Sequence, residues 1–157
     1  MPDHLDRIPV ALVPRRNRHN DQSWQHHTKA NNLTMPALDP LIMGLAPAWA
    51  LPLAIKRAGL TPEQIDVWEV HEAFSAQALG VLRELPNQLG AFIIPDDKLT
   101  PNGGAVAIGH PFGATGARYV LTLATELAER NARYGAVGEC IGSGQAVAVV
   151  VENPHAG

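Results

Sequence analysis

All 14 glycines of this chain lie at or after Gly44, and they gather at the ends of short apolar runs. Gly103 and Gly104 precede residues 105–108, Gly109, Gly113 and Gly116 follow them, and Gly142 and Gly144 separate two short apolar stretches. Glycine between periodic segments lets the backbone turn where a side chain would resist. The pattern therefore predicts compact strands and helices joined by tight turns, beginning near residue 36.

Residues 1–35 differ in kind. They hold no glycine, four of the seven histidines (His4, His19, His26, His27), and five basic against three acidic groups, whereas the remainder holds seven basic and twelve acidic groups. Pro9 and Pro14 cut the one apolar patch, and no period of 3.6 or 2.0 is sustained. This head is expected to be disordered or foreign to the fold, with residues 36–157 forming one domain. Its His26, His27, Arg15, Arg16 and Arg18 lack the spacing of a metal site. A net charge of −3 gives no field to hold nucleic acid. No apolar run reaches the roughly 20 residues of a membrane span. A single cysteine, Cys140, suits a reducing, cytoplasmic compartment.

In the body, Ala46–Ala58 reads as a helix beginning near Trp49, with Pro52 in its first turn, Lys56 and Arg57 in its last, and Gly59 beyond. Thr61-Pro62-Glu63-Gln64 has capping-box chemistry for a single turn. Alternation predicts a strand over 65–70 ending at His71, then a helix over 73–85 with Phe74, Ala78, Leu82 and Leu85 on one face. The proline-rich segment 86–101 reads as a connection with a short edge strand at 92–94. A strand is expected over 103–108, a helix over 117–131, and two strands, 136–141 and 146–152, around a glycine-rich hairpin. This succession indicates a layered α/β sheet.

Three expected strand ends finish in a reactive residue beside small ones: His71, His110 and Cys140. In open α/β sheets ligands collect at such ends, so the three are candidates for one crevice. Imidazole and thiol together support proton transfer or thiolate chemistry, and glycine backbone N–H groups can meet an oxyanion. Each residue also has an ordinary reading. A lone cysteine is commonly an inert small hydrophobe, a histidine a satisfied structural group, and Glu72 a complement to a helix dipole rather than a base.

The strings HEAFSAQ (71–77), NGGAVAIGHPFGATGAR (102–118) and CIGSGQAVAVVVE (140–152) resemble, in order and spacing, the C-terminal half of thiolases, which make or cleave 3-ketoacyl-CoA. Residues 43–70 are similar to the segment that precedes them, so the resemblance covers about 37–153. It implies a thiolase-like layered half: an incomplete C-terminal αβ domain with a mixed sheet and flanking helices. It also implies an acyltransferase of fatty-acid metabolism that uses CoA thioesters such as acetyl-CoA, with no metal or other cofactor.

By the same resemblance, His110 activates the nucleophile and polarises the acyl carbonyl. Cys140 is the acid/base that moves a proton to or from the substrate α-carbon or the CoA sulfur. His71 stands where many members have Asn holding an oxyanion-hole water, Gly142 offers an oxyanion-hole N–H, and Phe74 faces the thioester tail. The family's nucleophilic cysteine lies in an N-terminal half, and this chain holds no second cysteine. The resemblance thus implies a C-terminal portion inactive alone, acting with a thiolase N-terminal half or as a homo-oligomer. The alternative is a non-catalytic remnant or interaction module pairing with a complete thiolase.

Overall fold

A computed structural model describes the backbone of two short strands, β1 (Val10–Ala11) and β2 (Lys29–Ala30), and residues 34–157 throughout. Most of the 1–35 head, including His26 and His27, lies outside the described residues. The other strands are β3 (Val67–Val70), β4 (Tyr134–Gly142) and β5 (Gln145–Glu152). The helices are α1 (Pro47–Arg57), α2 (Ser75–Gln88), α3 (Ala105–Ile108) and α4 (Thr115–Glu129). The sheet order is β1-β2-β5-β4-β3; β3 runs parallel to β4, and every other pair is antiparallel. The mixed α/β architecture is the one the sequence implies.

β4 lies between β3 and β5, and two of its glycines bring helices close on opposite faces. A Cβ on Gly138 would stand 2.7 Å from Leu51 of α1, and one on Gly135 would stand 2.5 Å from Leu123 of α4. Alternation along the strands then sorts the core. Trp68, Val70, Ala136 and Val150 pack with Leu51 and Ile55, while Val67, Val137 and Val151 pack with Tyr119, Leu123 and Leu127. The Asp66 carboxylate fixes the parallel register by accepting from the backbone N–H of Arg133 (2.9 Å) and Tyr134 (3.0 Å).

Several local expectations hold. The Thr61 N–H donates to the Gln64 side chain at 2.9 Å and closes a single 3-10 turn over Pro62–Gln64. The β4–β5 hairpin turns through Ser143 (φ 50°) and Gly144 (φ 83°), the double positive φ of a type I′ connection. Others are overturned. α1 begins at Pro47, which occupies the first turn in the place foreseen for Pro52, so Pro52 falls inside the helix. Ala48, Ala50 and Leu51, all fully buried around it, supply the packing that outweighs a missing N–H. α2 likewise runs through Pro86 to Gln88, and 92–94 forms no strand.

The largest correction concerns 103–108, which is a turn and the four-residue helix α3 rather than a strand. Thr100 (φ 43°) and Gly103 (φ 82°) turn the chain away from the sheet after Leu99 touches Trp68 in an isolated bridge. The Glu72 carboxylate then accepts from the Val106 N–H at 3.1 Å, and the Tyr119 hydroxyl oxygen accepts from the Ala105 N–H at 3.1 Å. Side chains satisfy the backbone donors that a ladder would otherwise have taken.

Candidate active site

His71 follows the last residue of β3, and its backbone N–H donates to the Gly138 carbonyl of β4 at 2.9 Å. With that anchor the ring turns toward α4, where it is fully buried. Its Nδ1 lies 3.4 Å from the Tyr119 hydroxyl, edge-on to the phenol ring, and its Nε2 has no hydrogen-bond partner among the described residues. Burial, reinforced by His110 and Arg118, holds the His71 pKa down to about 4, so the ring is neutral at neutral pH.

His110 arrives from the loop between α3 and α4, and its ring centroid lies 4.4 Å from that of His71. The Thr115 hydroxyl donates to the Pro111 carbonyl at 3.0 Å, so toward His110 Nδ1, 2.7 Å away, it acts as acceptor. That bond places the proton on Nδ1 and leaves the Nε2 lone pair free for chemistry. The Arg118 guanidinium braces the loop by donating to the Gly109 carbonyl at 2.7 Å.

The third side chain in this cluster is Glu139, near the end of β4. One ligand atom from each of His71, His110 and Glu139 lies within 4.8 Å of the other two. Burial raises the Glu139 pKa, and Arg118 partly opposes it. Beneath them Glu69 is 1 % exposed, with both carboxylate oxygens unpartnered among the described residues. Burial first, then repulsion from Glu126 and Glu72, pushes its pKa up to about 8, against the pull of Arg118. Glu69 therefore carries a proton at neutral pH.

The structure thus joins His71 to His110. Cys140 follows Glu139 on β4 and is half-buried, and its sulfur is outside the three-residue cluster. Burial, with Glu139 beside it, raises the thiol pKa, which keeps it protonated and suited to give a proton rather than attack as a thiolate. Gly142 (φ 103°) lies at a register shift in β4, just before the hairpin turn. Phe74 does not share the buried face of α2 with Ala78 and Leu85. It precedes the helix and is 74 % exposed, because its extended backbone directs it off the helical stripe.

Tyr119, Thr115, Glu69 and Glu139 were not singled out from sequence. The last two carried a readable signal: each is a lone charge in an otherwise apolar strand, WEV and GEC. Tyr119 and Thr115 share one face of α4 at a spacing of four, but that spacing is equally that of an ordinary core face.

Residues 25–153 match the family described as "Thiolase, C-terminal domain". The chain is 43% identical over 150 residues to the peroxisomal 3-ketoacyl-CoA thiolase of Homo sapiens, a match that covers 95% of this chain and 34% of that protein. Among solved structures, acetyl-CoA acetyltransferase from Syntrophomonas wolfei superposes with a TM-score of 0.76 at 37% identity, over 80% of this chain and 31% of that one. Human mitochondrial 3-ketoacyl-CoA thiolase in complex with CoA gives 0.73 at 37% identity, over 80% and 30%. The chain spans about a third of the length of the curated relatives it matches.

Proposed function

Because the chain belongs to the thiolase family, as its C-terminal domain, we propose that it supplies the proton-transfer half of a site that makes or cleaves 3-ketoacyl-CoA. The nucleophilic cysteine of that site lies outside this chain. The contact between His71 and His110, rings 4.4 Å apart although 39 positions separate them, carries this reading. His110 Nε2, freed by the Nδ1–Thr115 bond, takes the proton of the attacking thiol and then steadies the acyl carbonyl. Neutral His71 orients an oxyanion-hole water, and the Gly142 N–H adds a donor to the same developing charge. The protonated Cys140 thiol exchanges a proton with the substrate α-carbon or the CoA sulfur. Exposed Phe74 is free to lie along the thioester tail.

The partner in this reading is a thiolase N-terminal half. Between α4 and the sheet runs an apolar groove of about 180 Å³ lined by Val120, Val137, Val147 and Val149, and Leu121 of α4 is exposed. An open apolar face beside the site suits a second body completing the layers. A homo-oligomer built on the whole enzyme belongs to the same reading, as does a cytoplasmic location, which one free cysteine suits. Among the described residues no helix is long and apolar enough to cross a membrane.

The test is thiolysis of acetoacetyl-CoA by this chain alone and mixed with a separately expressed nucleophile-bearing half. Turnover is expected only in the mixture, and lost with Cys140→Ala. A mixture that forms a stable complex yet remains inactive would instead favour the interaction module without catalysis.

A further inference from the structure

We infer that His71, His110 and Glu139 form a binding site for a divalent transition-metal ion of the zinc class. Two imidazole nitrogens and one carboxylate oxygen, mutually within 4.8 Å, are a donor set for borderline cations rather than for magnesium or calcium. The three residues come from just after β3, the loop before α4 and the second half of β4, so no spacing in the sequence announces them. Ligand atoms around tetrahedral zinc, with bonds of about 2.1 Å, stand about 3.4 Å apart.

A second observation points to a ligand. His71 is fully buried, and its Nε2 has no partner among the described residues. A buried polar atom left unpaired is destabilising, and a bound cation relieves that cost. Both rings already have the outer partner that metal-bound histidines use to fix their orientation. His110 Nδ1 is tied to Thr115 at 2.7 Å, and His71 Nδ1 lies against Tyr119, whose oxygen is held by the Ala105 N–H. The Thr115 bond leaves the His110 Nε2 lone pair for the ion, and the His71 Nε2 is the ring nitrogen left without a partner among the described residues. Three protein ligands leave a fourth position for water or a thiolate. An ion held there withdraws both histidines from proton transfer, so the site is inhibitory; that consequence rests on the thiolase reading, whereas the site itself does not.

The experiment is titration of the metal-stripped chain with Co²⁺, followed by visible absorption, with Zn²⁺ then added as competitor. One Co²⁺ per chain is expected, with the intensified bands of four- or five-coordinate cobalt, erased by zinc. Glu139→Gln and His110→Asn should each weaken binding by more than about tenfold, the scale on which even outer-shell partners act. Paired replacement of His26→Ala and His27→Ala should change nothing. The far-ultraviolet circular dichroism of each variant verifies its fold. Absent bands in the wild-type chain would overturn the site, as would bands that survive both site substitutions or vanish with the head substitutions. The readout is a spectrum, so failure of the thiolase reading leaves it intact.

Discussion

Toward α1 the sheet presents Trp68, Val70, Ala136 and Val150 to a large cluster that includes Leu51, Ile55, Val81 and Leu85. Toward α4 the apolar cluster is smaller, and Glu69, His71, Thr115 and Glu126 are buried on that side of the chain. The contrast separates stability from chemistry. A face filled with aliphatic side chains is held by area removed from water, whereas a face carrying uncharged His71 and protonated Glu69 spends part of that gain on desolvating polar groups. Active sites commonly show such perturbed groups, because burial tunes a proton's affinity.

The comparison is broken most forcefully on the α1 side. Trp68 is fully buried and stacks on Phe92 with ring centroids 5.9 Å apart. Trp68→Ala should cost about 3–5 kcal/mol in urea unfolding. A loss below about 1 kcal/mol would show that this face is not where stability resides. On the α4 side, His110→Asn should reduce thiolysis by the reconstituted mixture about 10²–10⁴-fold, the usual contribution of an acid/base group. Its unfolding midpoint should scarcely move, since the His110 ring is only partly buried.

Glu69 sharpens the contrast through pH. Its folded pKa, about 8, exceeds the ordinary 4.5, so the folded state keeps a proton that the unfolded chain releases. The stability it contributes is full below the unfolded value and is lost as pH rises through about 8. The groups facing it are Glu126 and Arg118 of α4, and Glu72. Glu69→Gln removes the titration, so its thermal midpoint should match wild type near pH 5 and exceed it increasingly toward pH 8. A constant offset across that range would assign the effect to packing instead.

The smallest effect belongs to neither face. Ser143 holds φ 50° at the first central position of the hairpin turn, a conformation that asparagine accepts with less strain. Ser143→Asn should raise stability by a few tenths to about 1 kcal/mol, read from the denaturation midpoint, without altering the balance between the faces. Gly144 offers no such opportunity, since a Cβ there would strike the Leu38 carbonyl oxygen.

Much of the scaffold was legible because it depends on local chemistry. The single turn at Thr61–Gln64, the hairpin at Ser143-Gly144 and the strand ending at His71 each follow from neighbouring residues alone. The stretch 103–108 was misread because a glycine-opened apolar run suits a strand and a short helix equally. Only Glu72 and Tyr119, distant in sequence, supply acceptors that settle the choice. Phe74 shows the same difficulty: its place in the apolar spacing suggests a buried face, but the chain enters α2 in an extended conformation.

By itself the sequence determined the family, most of the helices and strands, and that His71 stands at the end of a strand, since these rest on motifs, periodicity and turn chemistry. The tertiary structure decided that His71 meets His110, that Glu139 joins them, and that Glu69 keeps its proton. Those facts depend on the parallel register of β3 on β4 and on α4 closing over them, and burial and proximity exist only once the strands are paired.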